Sequence, residues 1–145
     1  MAIRGAILGD IAGSQYEFDR PKDLDWKSCE LYTRRCRFTD DSVMSLAIKS
    51  AVDNGLDYQN EMIGLGRLYP DCGYGGNFYR WIFCRHPKPY GGFGNGSAMR
   101  VSYIGEYYDD MRDVLIRFDA AIGRGDPERE DEYEENKVIE KAYSV

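Results

Sequence analysis

Apolar residues recur at helical spacing through most of the chain, and nowhere do they alternate with polar ones over a strand's length. The clearest case begins at Thr39. Val43, Met44, Ala47, Ile48 and Ala51 form a stripe along one helical face. Thr39 or Asp40 supplies a cap, Asp41 lies in the first turn, and Gly55 is a natural stop. Upstream, Ala2–Ile11 mixes Ala, Ile and Leu and predicts a buried helix weakened by Gly5 and Gly9. Between them, residues 14–38 read as a long connection rich in charge and aromatics, a feature that is often functional. A second amphipathic helix is expected from Tyr58 to Tyr69, ending before Pro70. A short aromatic one follows over Asn77–Cys84. Pro87 to Gly96 is a loop. Two further helices are expected, Ala98–Tyr108 and Asp110–Ile122, and a charged one from Pro127 to Ala142. The pattern predicts an all-α fold, a compact helical bundle.

Composition narrows the class. A chain of 145 residues forms one domain, with residues 1–125 as the helical unit and 126–145 as an acidic carboxyl-terminal segment. Of the net charge of −6, that segment carries −5, from eight acidic residues against Arg129, Lys137 and Lys141. The body is therefore near −1 and offers no basic surface, so direct nucleic-acid binding is not expected. A partner of the tail should be basic. There is no apolar run long enough to span a membrane, and Met1–Gly5 makes a poor signal peptide, so a cytoplasmic protein without a membrane partner is expected. Cys29, Cys36, Cys72 and Cys84 contain no C-x-x-C pair, and with only His86 beside them a zinc site has little support. Reduced thiols are expected, with two disulfides as the alternative.

Three polar groupings carry candidate chemistry. Thr39, Asp40 and Asp41 place a hydroxyl and two carboxylates at a helix start. That suits a hard cation such as Mg²⁺, and it equally suits plain capping of the helix dipole. Glu17 follows a glycine-punctuated helix end and can point into a cleft or into solvent. The run from Gly91 to Arg100 combines accessible backbone N–H groups with a helix start, a phosphate cradle or a tight structural loop. It lacks the Gly-Lys-Ser/Thr ending of a nucleotide triphosphatase.

Taken in order, GAILGDIAGSQYE, FTDDSVMSLAI, YPDCGYGGNFYRW and FGNGSAMRVSYIG resemble the amino-terminal half of the ADP-ribosylglycohydrolases, over about Ile3 to Gly105. The resemblance implies an all-α bundle around divalent ions, Mg²⁺ with Mn²⁺ as a substitute. It implies that Thr39, Asp40 and Asp41 match metal ligands and that Glu17 matches the acid near the scissile bond. Gly75 and Gly76, with Asn95, Gly96, Ser97, Ala98 and Met99, match loops that hold ADP-ribose.

The chain also departs from that family. Family enzymes end in a Gly-Asp-x-Asp-Thr type motif supplying the remaining metal ligands. Here Gly125-Asp126-Pro127 runs on into Glu128 and Arg129. The family's Thr-His-x-His-Pro-like segment is absent, and His86 lies before the glycine-rich loop. Two-metal hydrolysis needs both ions fixed about 3.5–4 Å apart, so cation binding is expected to be weak or absent. The expectation is a catalytically impaired relative, a pseudoenzyme acting through a protein partner or a second copy. An inhibitor of host defence of the anti-CRISPR kind is one example. The alternatives are an active Mg²⁺-dependent hydrolase that removes ADP-ribose from proteins, and a non-cleaving ADP-ribose reader.

Overall fold

A computed structural model describes residues 2–18, 20–25, 27–88, 90, 95–110 and 113–114, with Ser97 described in its backbone only. Among them the fold is all-α, with no strand. Its helices are α1 (Ala2–Gly13), α2 (Asp40–Asn54), α3 (Tyr58–Leu68), α4 (Gly76–Phe83), α5 (Gly96–Met99) and α6 (Ile104–Tyr107). A single 3₁₀ turn, Ser14–Tyr16, follows α1. No described helix is long and apolar enough to cross a membrane. The acidic segment 126–145 and the expected helix over 127–142 lie outside the described residues. So does most of the expected helix 110–122, of which Asp110, Asp113 and Val114 are described, with the Val114 N–H donating to the Asp110 carbonyl at 3.0 Å.

The centre is α2. Thr39 is its N-cap, its hydroxyl accepting from the Asp41 N–H at 3.3 Å. Gly55 closes the far end in the left-handed conformation, φ 62°, where a side chain would be strained. Val43, Met44, Ala47, Ile48 and Ala51 are all buried, joined by Val52, Tyr58, Met62 and Ile104 in one cluster. Burying such a stripe is the dominant stabilisation, at about 25 cal/mol per Å² of apolar surface. Helix α3 packs against α2, and α4 packs against α3, where Gly66 lets Ile82 approach closely.

Two expectations are corrected here. Helix α1 runs two residues further than expected despite its glycines, yet only Ile3 is buried and Leu8 is 52% exposed. Its apolar composition signalled burial, but only one side of it meets α2. The expected single helix Ala98–Tyr108 is instead α5 and α6 with an irregular link. Met99, Val101, Tyr103 and Ile104 all pack on the core. Residues at that spacing cannot share one helical face, so the chain breaks to bring them in.

Among the described residues, the long connection after α1 has no regular helix or strand beyond its first turn and is fastened by polar groups. The buried Gln15 amide donates to the Glu30 and Leu31 carbonyls at 2.9 and 3.3 Å, and its oxygen accepts from the Thr33 hydroxyl at 2.7 Å. The Ser14 hydroxyl donates to the Ile11 carbonyl and accepts from the Arg37 N–H at 3.0 Å. All four cysteines are free thiols.

Candidate functional site

The end of α1 and the start of α2 are joined through Asp10. Its carboxylate accepts from the Thr39 N–H at 2.8 Å and the Ser42 N–H at 3.2 Å, and also from both of their hydroxyls. An acid contributed by one helix thus caps the next, where the α2 dipole favours negative charge. This lock brings Glu17, in the turn after α1, up to the first turn of α2.

Asp40 and Asp41 occupy that turn. The Asp40 N–H donates to the Cys72 carbonyl at 2.8 Å, which lays the loop 72–74 against it. Burial pushes the Asp40 carboxyl up to about 6, with Asp41, Glu17 and Asp10 adding repulsion and its own backbone N–H opposing. Asp41 is raised by burial and then by Asp10. Glu17 is raised by burial, then by Asp41 and Asp10, with Arg37 opposing. Glu17, Asp40 and Asp41 thus lie near enough for charge to act from Glu17 on Asp40 and from Asp41 on both, beside the Thr39 cap.

The glycine-rich positions lie further along. Met99 meets the second turn of α2, where the Ser45 hydroxyl donates to its carbonyl at 3.4 Å. The Asn95 carbonyl accepts from the Ala98 and Met99 N–H groups at 2.9 and 3.1 Å, starting α5. Gly96 lies beside the Arg100 guanidinium, 3.9 Å from where a Cβ would sit. Gly75 and Gly76 begin α4 without a side-chain cap, and a Cβ at either would meet open space. Gly91 to Gly94 and the Ser97 side chain lie outside the described residues. Cys72 and Gly73 thus lie over the first turn of α2, and Met99 against its second.

Three residues that the sequence places inside these motifs without a role of their own stand out in the structure. Asp10 carried a signal, the lone acid of a helix whose one other charge is Arg4. Arg100 is buried, with its guanidinium 5.7 Å from the centre of the Phe78 ring, and burial lowers its pKa. Tyr74 has its hydroxyl oxygen buried without a hydrogen-bond partner, and burial, then Cys72 and Asp40, raise its pKa. Nothing in the local sequence distinguishes these two from core aromatics and surface arginines.

For a divalent ion the fit is that of an open site. Among the described residues no three His, Cys, Asp or Glu side chains gather into a metal cage. The donors at hand are hard oxygens, and Mg²⁺ is commonly held by one or two carboxylates while keeping waters and ligand oxygens. The Thr39 hydroxyl donates to Asp10 and accepts from Asp41, which leaves one lone pair for a cation. No family model matches the chain, and no curated protein and no solved structure matches it either.

Proposed function

We propose that this protein binds an ADP-ribose-type ligand over a divalent cation held by Thr39, Asp40 and Asp41. The observation that carries the reading is the convergence of Glu17 with those three residues around the first turn of α2. It is supported by the order of the four motifs that resemble the ADP-ribosylglycohydrolases. Three carboxyls whose pKa is raised by burial and then by neighbouring acids would be relieved by a cation, which would supply a Lewis-acidic anchor for ribose hydroxyls. The loops Asn95–Met99 and Gly75–Gly76 would flank the diphosphate and receive it through the first backbone N–H groups of α5 and α4, those of Ala98 and Met99 being taken by the Asn95 carbonyl. Where cleavage follows, Glu17 is the residue that takes the proton from the attacking water. Its raised pKa suits a general base working nearer neutrality.

The test is calorimetry with ADP-ribose in the presence and absence of Mg²⁺, alongside turnover of an ADP-ribosylated protein. Binding that needs Mg²⁺ and is lost in Asp41→Asn supports the site. Turnover in addition makes it a hydrolase, and binding alone makes it a reader. Absence of both sinks the proposal. A second reading is favoured by α1, an apolar helix with one buried residue, and by Leu46, exposed on α2. These faces suit a protein partner or a second copy of the chain, as in the pseudoenzyme expectation, and light scattering decides between monomer and assembly.

A further inference from the structure

Charge is unevenly spread along this chain, and the fold collects the positive part on one side of α4. From Cys72 to Gly105 there is no Asp or Glu, while Arg80, Arg85, Lys88 and Arg100 all fall there. Arg100 is buried, but Arg80, Arg85 and Lys88 are exposed. Arg67 joins them from the last turn of α3. Its guanidinium donates to the Ile82 carbonyl at 2.8 Å and the Cys84 carbonyl at 3.2 Å, which holds that turn against the end of α4. The α3 acid Glu61 lies in its first turn, at the opposite end. The ion pair described in the fold, Lys49 with Asp53 on α2, involves none of these cations.

The same face carries aromatic surface that the core leaves uncovered. Ile82 is fully buried, and Phe78 and Trp81 pack on the core cluster. Tyr79 and Phe83 stay 42% and 45% exposed, with ring centroids 4.8 Å apart. Arg80 is three positions before Phe83 and so its neighbour on that face.

A face both cationic and aromatic suits an acidic segment with rings of its own, and the chain contains one. Residues 126–145 hold eight acids against Arg129, Lys137 and Lys141, with Tyr133, Val138, Ile139 and Tyr143 among them. We propose that the exposed face of α4 is the docking surface for this acidic segment of the same chain. Charge complementarity selects the occupant, and the connection allows it. The stretch 115–125 can span up to about 40 Å when extended, enough to reach α4 in a domain whose radius of gyration is about 15 Å. Exposed ion pairs are individually weak. Tethering raises the effective concentration of the segment to the order of 1 mM, so several weak pairs and two ring contacts hold it in place.

The experiment uses the full chain and a water-soluble carbodiimide, which couples a carboxylate to an amine that touches it. Lys88 is the reporting amine, and Lys22 and Lys27, exposed on the connection after α1, are controls. Mass spectrometry of mixed ¹⁴N and ¹⁵N chains separates links within a chain from links between chains. The expected result is Lys88 joined to acids of 126–140 within one chain, about fivefold more than either control. That preference should vanish at about 1 M salt, where charges are screened beyond about 3 Å. Combining Arg80→Glu with Arg85→Glu should reduce the Lys88 link by a similar factor. Both are exposed, so melting should move by less than about 2 °C. Should that variant melt early, the salt titration of the wild-type chain carries the test by itself. Equal coupling of the three lysines would mean steering without docking and overturn the proposal. A Lys88 link that survives high salt would overturn the charge-selected occupant. Links found only between chains would assign the face to a second copy and overturn it too. So would a wild-type chain that shows no Lys88 link and captures labelled single-stranded DNA, because the face would then be a nucleic-acid surface.

Discussion

Replacing Asp10 by alanine removes the acceptor that fastens α1 to the first turn of α2. Four donors lose their partner: the N–H and hydroxyl groups of Thr39 and Ser42. Thr39 is 7% and Ser42 3% exposed, so water replaces the carboxylate poorly. The two hydroxyls can rotate towards other acceptors, whereas the two N–H groups cannot. Leaving each N–H unsatisfied costs about 1–3 kcal/mol, which gives about 3–4 kcal/mol once some local relaxation is allowed. Loss of negative charge at the α2 dipole adds about 0.5 kcal/mol. For a domain of this size the melting temperature should fall by about 10–15 °C. Asp10→Asn keeps one carbonyl oxygen with two lone pairs, so it should lose about half as much. Urea unfolding followed by circular dichroism measures both, and the midpoint should fall at constant slope. An alanine variant within about 0.5 kcal/mol of wild type would refute the view that this carboxylate joins the two helices.

Two further predictions are structural. Asp40 titrates near 6 when folded, against 3.8 ordinarily. Between about pH 4 and 6 the folded state therefore holds more protons than the unfolded one, and the contribution of Asp40 to stability declines as pH rises through that window. Asp40→Asn should flatten that decline and raise the melting temperature at pH 7, and an unchanged pH profile would contradict the assignment. Gly66→Ala would put a Cβ 2.8 Å from Ile82 Cδ1, on a side chain that is fully buried. The clash should outweigh the gain in helix propensity and destabilise by about 1–2 kcal/mol. Adding Ile82→Val, which removes the clashing methyl, should recover part of the loss in a double-mutant cycle.

The sequence by itself determined the features that depend on near neighbours. In α2 the cap Thr39, the stripe Val43–Ala51 and the stop at Gly55 lie within one helix length, so their spacing defined the element and its buried face. The all-α class followed from the same periodicity. Adjacency also placed Thr39, Asp40 and Asp41 together, whatever the rest of the chain does. The tertiary structure decided what comes from far along the chain. Asp10 reaches α2 because α1 packs beside it, and Glu17 comes near the acids with that packing. The break between α5 and α6 was hidden for a similar reason. Local propensity favours one helix there, while the core requires Met99, Val101, Tyr103 and Ile104 all to face inward. Helix α1 shows the converse, because its composition reports hydrophobicity but not whether another helix covers it. Tyr74 was beyond reach for the plainest reason. An unpaired hydroxyl is a property of what surrounds a group in space, and spacing along the chain does not encode it.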